Sequence, residues 1–242
     1  MEQEILKVKS NRPLAPSVYE MVLEGNTGSI TAPGQFINIA IEGLFLRRPI
    51  SVCEYDDRSV TIIYKVVGKG TERLCEAVPG DGFDVLVGLG NGFDTAKSGS
   101  TPAVIGGGVG VPPMYGLAKK LRQEGKTVTA ILGFNRKEEI FYPERFEELG
   151  CKVILATADG SAGVKGFVTD AMEDRYSYVY ACGPEPMLKA VYNKAECSGQ
   201  FSFEKRMGCG FGACMGCSCK TKYGNKRICR EGPVLEKEEI LW

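Results

Sequence analysis

Residues 101–125 read TPAVIGGGVGVPPMYGLAKKLRQEG. An apolar run leads into Gly106, Gly107, Gly108, Val109 and Gly110, and a helix-like segment follows that ends at Gly125. The pattern predicts a strand, a tight glycine turn and a helix. Pro112 and Pro113 stand in the first helical turn, where a missing N–H costs little. Glycines at such a turn let backbone N–H groups and the helix N-terminus approach a pyrophosphate. The run departs from G-x-G-x-x-G, since position 111 is valine, so a ligand-free strand–helix connection gives the same pattern.

Downstream the alternation continues. TVTAILG reads as a strand, PERFEELG as a helix, CKVILAT as a strand, FVTDAMED as a helix, SYVYAC as a strand and EPMLKAVYNKAE as a helix. Strict alternation predicts a doubly wound parallel sheet across residues 98–200. Ligands of such sheets bind at the carboxyl ends of the strands. CGPEPM (182–187) is another strand end before a helix, so Cys182 and Gly183 can share a crevice with the 106–110 turn. Cys182 by itself also reads as a small buried apolar side chain. Asp159-Gly160 fits the same crevice or a simple turn equally well. Arg136 and Lys137 do not decide between NADH and NADPH.

Upstream, residues 1–97 have a different grammar. EILKVKS, SVYEMVLEG, QFINIAI, VTIIYKVV and FDVLVGL are short, β-branched and partly alternating, with punctuation such as APGQ and VPGDG. They predict a small antiparallel β-barrel, interrupted by one helix-like stretch, TERLCEAV (71–78). Within it stands LRRPISV (46–52). A guanidinium there can grip a diphosphate bidentately and Ser51 can hydrogen-bond a flavin edge, although an Arg-Arg pair at a strand edge is equally a solvated surface pair.

The last segment, residues 201–242, carries Cys209, Cys214, Cys217 and Cys229 as C-x4-C-x2-C, eleven residues, then C. This is the plant-type spacing for a [2Fe–2S] cluster. Gly208, Gly210, Gly212, Ala213 and Gly216 let the loop wrap closely and aim N–H groups at sulfur. Structural zinc instead favours paired C-x2–4-C knuckles or Cys/His mixtures, and this chain has no histidine. Cys219 competes with Cys217 as a ligand, and the x4–x2 spacing favours Cys217.

Composition narrows the partners. Thirty basic residues balance thirty acidic ones in 242, which gives no electrostatic case for nucleic acid or an anionic membrane. No membrane-length apolar run or signal-peptide pattern is present, and the remaining cysteines are scattered, so a reducing, cytoplasmic setting is expected. Without histidine there is no His-based triad, Rieske centre or His-ligated haem, and a cofactor must carry the chemistry.

RPIS, IYKV followed by GKGT, LGNGF, GGGVGVPPM and CGPEPM occur in that order, and the chain resembles the ferredoxin reductase-like flavoprotein family over nearly its whole length. With the cysteine pattern added, it is similar to the electron-transfer subunits of NAD-linked (class 1B) dihydroorotate dehydrogenases. The resemblance implies an FAD-binding barrel, an NAD-binding α/β domain and a C-terminal [2Fe–2S] segment facing a partner. That partner would carry FMN and oxidise dihydroorotate in pyrimidine biosynthesis, in a heterotetramer of two plus two. By the same resemblance Arg48 holds the FAD diphosphate, and Pro49, Ile50 and Ser51 line the flavin, with Ser51 near N5. Ile63, Tyr64, Lys65, Gly70 and Thr71 lie beside FAD. Gly106–Gly110, Cys182 and Gly183 face NAD, with Cys182 near the nicotinamide, and the four cysteines ligate the cluster. No residue for substrate proton abstraction is expected in this chain. The eleven-residue Cys217–Cys229 interval varies among such proteins and alters the surface offered to a partner. Two rivals remain: the small subunit of an NADH-dependent ferredoxin:NADP oxidoreductase or a sulfur-metabolising relative, and a zinc-stabilised module without cofactors. LGNGFD and ICREGPVL favour the dihydroorotate dehydrogenase subunit.

Overall fold

A computed structural model describes residues 1–173 and 175–242. Its first segment comprises β1 (Glu2–Ala15), β2 (Val18–Glu24), β3 (Phe36–Ile39), β4 (Arg48–Tyr55), β5 (Ser59–Lys65), α1 (Lys69–Cys75) and β6 (Gly82–Leu89). The six strands close into an antiparallel barrel in the order β1-β2-β5-β4-β3-β6. Period-two alternation explains it. Ile37 and Ile39 of β3, Ile62 and Tyr64 of β5, and Val85 and Val87 of β6 fill the interior. Each such aliphatic side chain stabilises by about 1.5–3 kcal/mol when fully buried. Phe36 and Asn38, the alternate residues of β3, face outward. The helix lies where the sequence predicts one but begins at Lys69 and stops at Cys75.

The second segment holds β7 (Ala103–Gly107), α2 (Val111–Gln123), β8 (Thr129–Phe134), α3 (Pro143–Glu148), β9 (Lys152–Thr157), β10 (Val164–Lys165), β11 (Val179–Cys182), α4 (Glu185–Lys194) and β12 (Gly199–Ser202). Beyond them lie the hairpin β13 (Ser218–Thr221) and β14 (Gly224–Arg227), and then β15 (Val234–Glu236). The seven-stranded sheet runs β10-β9-β8-β7-β11-β12-β15. It is parallel up to β12, and β15 returns antiparallel along its edge. Periodicity does not reveal that return, because three residues are too few to show any period.

Residues 167–173 of FVTDAMED do not form a helix. Their backbone makes i→i+3 bonds from Asp170 to Phe167 and from Ala171 to Val168, and the Asp170 carboxylate accepts the Phe167 N–H. The backbone closes as successive i→i+3 turns instead of the i→i+4 ladder of a helix. The last residue of that stretch, 174, lies outside the described residues. Among the described residues no helix is long and apolar enough to cross a membrane.

The barrel and the sheet share a core. Val18, Cys53, Ile63 and Phe93 pack with Met114, Tyr115, Ala118, Tyr142 and Phe146. Helix α2 lies so close to β4 that a Cβ on Gly116 would come within 2.4 Å of the Cys53 carbonyl. The helix that leaves the glycine turn is therefore seated on the strand that carries RPIS.

Candidate functional site

Strand β4 presents its motif on two faces. Ile50 packs into the barrel, whereas Pro49 and Ser51 face outward, opposite Asn38 and Phe36 of β3. The half-buried Arg48 side chain bends over Gly70, where a Cβ would fall 1.9 Å from its Nε. Its Nη1 donates to the Leu46 carbonyl. On β5, Ile63 faces the α/β segment and Lys65 faces solvent. Tyr64 is turned inward, its hydroxyl donating to Asn11 at 3.0 Å and its ring stacked on Tyr19. Tyr64 can therefore meet an outside ligand only through backbone, whereas Ile50 is only partly buried. The Thr71 hydroxyl is spent on the start of α1, accepting from Val67 N–H at 2.9 Å and donating to the Gly68 carbonyl at 3.0 Å.

The glycine turn forms a short 3-10 segment, Gly108–Gly110, before α2, and it lies against β5. Its glycines have different duties. A Cβ on Gly110 would meet the Cys182 carbonyl at 2.2 Å, so this glycine exists for close packing on β11. Gly108, at φ +53°, faces open space and is the one free for a ligand's approach. Register pairs Cys182 with Gly106, which brings CGPEPM and the turn to one strand-end crevice. Burial pushes the Cys182 thiol up to about 12, with a hydrogen bond to Ser202 opposing, so the group is neutral near pH 7. A cleft of about 370 Å³ opens beside it, lined by Gly183, Pro184, Phe203, Lys205 and Arg206 among others. Asp159 is a turn residue, accepting from the N–H and hydroxyl of Ser161. Arg136 is paired with Glu139 at 3.3 Å.

The cysteine loop is organised in pairs. Cys209 and Cys214 exchange backbone N–H to Sγ contacts, each 3.4 Å. Cys217 and Cys229 sit with their sulfurs 3.3 Å apart. The first pair lies toward solvent, while the second is buried with Phe36, Leu86, Phe203 and Ile228. Burial raises the Cys209 thiol, but N–H groups of Cys214, Phe211 and Ala213 outweigh it and bring the group down to about 6. Burial and then the Cys217 neighbour push Cys229 up to about 12. Cys219 sits in β13 opposite Lys226 and belongs to neither pair. Among the described residues no three Cys, Asp or Glu side chains converge as a site for a single metal ion.

Two family models match. Residues 204–241 match the iron-sulfur cluster binding domain of dihydroorotate dehydrogenase B, and residues 104–193 match an oxidoreductase NAD-binding domain. The dihydroorotate dehydrogenase B (NAD(+)) electron transfer subunit of Geobacillus sp. (strain WCH70) is 43% identical over 256 aligned positions, covering 100% of this chain and 99% of that protein. Its counterpart in Fusobacterium nucleatum is 42% identical, with 99% of each chain covered. The chain belongs to this family.

Among solved structures, the NADH-dependent reduced ferredoxin-NADP oxidoreductase aligns at TM-score 0.89 and 29% identity, over 98% of this chain and 90% of that one. Phthalate dioxygenase reductase shares the fold at TM-score 0.63 and 22% identity, over 78% and 63%. This chain is an electron transfer subunit of an NAD-linked oxidoreductase, and its cofactors are FAD, NAD and a [2Fe–2S] cluster. Its residues fit those groups. A two-iron cluster needs four thiolates in two pairs, which is the arrangement present, whereas a single zinc needs four converging donors. The outward face of Pro49 and Ser51, with Arg48 beside it, offers a flavin both apolar contact and a cation. The open Gly108 and the strand-end cleft offer a dinucleotide an approach.

Asn38, Lys205 and Arg206 are the residues at these sites that sequence reasoning missed. QFINIAI reads as a strand and nothing more, since only the barrel's closure decides that Asn38 turns outward toward the cysteine loop. Lys205 and Arg206 follow QFSFE, a strand end, and strand-end position is the signal that could have found them.

Proposed function

We propose that this chain relays electrons from an FMN-containing subunit that oxidises dihydroorotate, through the [2Fe–2S] cluster and FAD, to NAD+, within a cytoplasmic heterotetramer of two plus two. The observation that carries the reading is the contact between the paired cysteines and the outer face of β3, next to the RPIS strand, while α2 from the glycine turn sits on β4. One-electron and two-electron centres bound at these residues would thereby share one packed unit. When bound, FAD interconverts the hydride chemistry of NAD+ with the single-electron chemistry of the cluster.

The chain's own residues supply position and charge. Arg48 would neutralise the diphosphate, Pro49 and Ser51 would border the ring, and Ile63 and Lys65 would flank it on β5. The neutral Cys182 and the Gly108 turn would border the nicotinamide end. Cys209, Cys214, Cys217 and Cys229 would hold the irons, with exposed Cys214 toward the partner.

No histidine is present, and no carboxylate beyond the cofactor motifs stands out as a base for the substrate's carbon-bound proton. The isolated chain should therefore reduce artificial dyes with NADH but show no dihydroorotate-dependent NAD+ reduction until the FMN partner is added. Robust dihydroorotate oxidation by the pure single chain would sink this reading.

A further inference from the structure

Asn38 is almost fully buried, at 1% exposure, on the outward face of β3. Three contacts define it. Its Nδ2 donates to the carbonyl of Cys209 at 3.3 Å. The space beside Gly210 belongs to it, since a Cβ there would lie 2.2 Å from the same Nδ2. Its own backbone carbonyl accepts from Arg47, and register sets it directly across from Pro49 of the RPIS strand. Residues directly opposite in an antiparallel pair share a face and lie about 5 Å apart. One carboxamide thus touches the cysteine loop while standing beside the flavin strand.

The side chain is also costly. Its Oδ1 is buried without a hydrogen-bond partner. Leaving such an acceptor unsatisfied is unfavourable; an apolar side chain of the same size would remove that penalty but would also take the donor from the Cys209 carbonyl. Asn38 thus carries one amide atom bonded to the cysteine loop and one left unpartnered, and such violations mark functional positions.

We propose that Asn38 is a positioning residue for internal electron transfer, pinning Cys209 and its loop to the strand beside the flavin. It neither ligates iron nor touches NAD. The inference rests on the relay proposed above. In the direction the test reads, bound FAD would take two electrons from NADH as hydride, pass one to the cluster and keep the other until an acceptor takes it. Asn38 sets the geometry of the second event only.

The test uses the full chain with its cofactors, as wild type, Asn38→Leu and Asn38→Asp, mixed with NADH in an anaerobic stopped flow. Flavin bleaching and cluster bleaching are read separately, together with iron content, melting temperature and the EPR line shape of the reduced cluster. Both variants should keep iron and FAD and bleach flavin at the wild-type rate. Cluster bleaching should slow about tenfold, as a displacement of the cysteine loop by more than an ångström would cause, with altered EPR lines. Asn38→Leu should do so with a melting temperature close to that of wild type, since losing the bond to Cys209 is offset by removing the unpartnered Oδ1, whereas a merely structural role would lower the melting temperature. Unchanged cluster bleaching and EPR in Asn38→Leu would overturn the proposal. So would loss of iron from both variants with melting temperature retained, which would assign Asn38 to cluster assembly. A wild-type chain without flavin or iron would instead refute the relay itself.

Discussion

The hydroxyl of Tyr142 donates to the carboxylate of Glu20, 122 residues earlier in the chain. Glu20 is buried on β2 of the barrel and Tyr142 stands at the head of α3, so this bond ties the two large segments together. Tyr142 is held at φ +75°, a left-handed conformation that costs a side-chain-bearing residue about 1–2 kcal/mol. Arg12 holds the other carboxylate oxygen at 2.7 Å. Arg145 lies 5.0 Å and 5.1 Å from the rings of Tyr115 and Tyr142 and reaches Glu54 on β4.

Tyr142→Phe should therefore destabilise the protein by about 1.5–3 kcal/mol, the value of a hydrogen bond to a charged group. Denaturant unfolding of the flavin-loaded chain measures it. A change below about 0.5 kcal/mol, the range of ordinary surface substitutions, would show that Arg12 alone satisfies Glu20.

Glu236 sets an acid limit on the C-terminal edge strand. Burial works against its charge, but hydrogen bonds from Lys97 at 2.6 Å, Gln200 at 2.7 Å and Tyr178 at 3.0 Å outweigh that and lower its pKa from 4.5. A carboxylate depressed on folding adds stability that is fully present above its unfolded value and is lost as pH falls through the folded one. Melting temperatures recorded from pH 7 down to below 4 should fall more steeply for wild type than for Glu236→Gln at the acid end. Parallel curves would exclude this carboxylate.

The two cysteine pairs predict a sharp division among five thiols. Replacing Cys209, Cys214, Cys217 or Cys229 by serine should remove or destabilise the cluster, because thiolate is the preferred ligand. Cys219→Ser should keep its iron, since β13 sets that residue apart from both pairs. Iron per chain and visible absorbance of anaerobically purified protein decide it. Iron kept in Cys217→Ser and lost in Cys219→Ser would exchange their roles.

Arg48 and Gly70 should fail together. Arg48→Ala should weaken FAD retention by about 1.5–3 kcal/mol, the loss of a charged hydrogen-bonding partner. Gly70→Ala places a methyl 1.9 Å from the Arg48 Nε and must displace the guanidinium, so it should lose flavin as well. FAD per chain after extensive dilution reads both. Full occupancy in Gly70→Ala beside loss in Arg48→Ala would show that the side chain does not work from over Gly70.

Local pattern was enough for much of this molecule. The β-branched runs before residue 97, the strand–helix alternation after 100 and the cysteine spacing are periodic or fixed-interval signals, and each reports on a strand, a helix or a ligand set within its own few residues. FVTDAMED misled because apolar spacing alone does not separate a helix from the successive i→i+3 turns formed between Phe167 and Met172. The return of β15 along β12, the inward turn of Tyr64, the use of Gly110 for packing on Cys182 and the reach of Asn38 to Cys209 left no local trace. Each depends on which strand lies beside which, and that is settled by burial summed over residues far apart in the chain. The sequence by itself determined which groups this protein carries the means to hold. Only the tertiary structure decided that the cysteine pairs lie against the barrel face beside the RPIS strand, because shared burial, not proximity in sequence, brings them there.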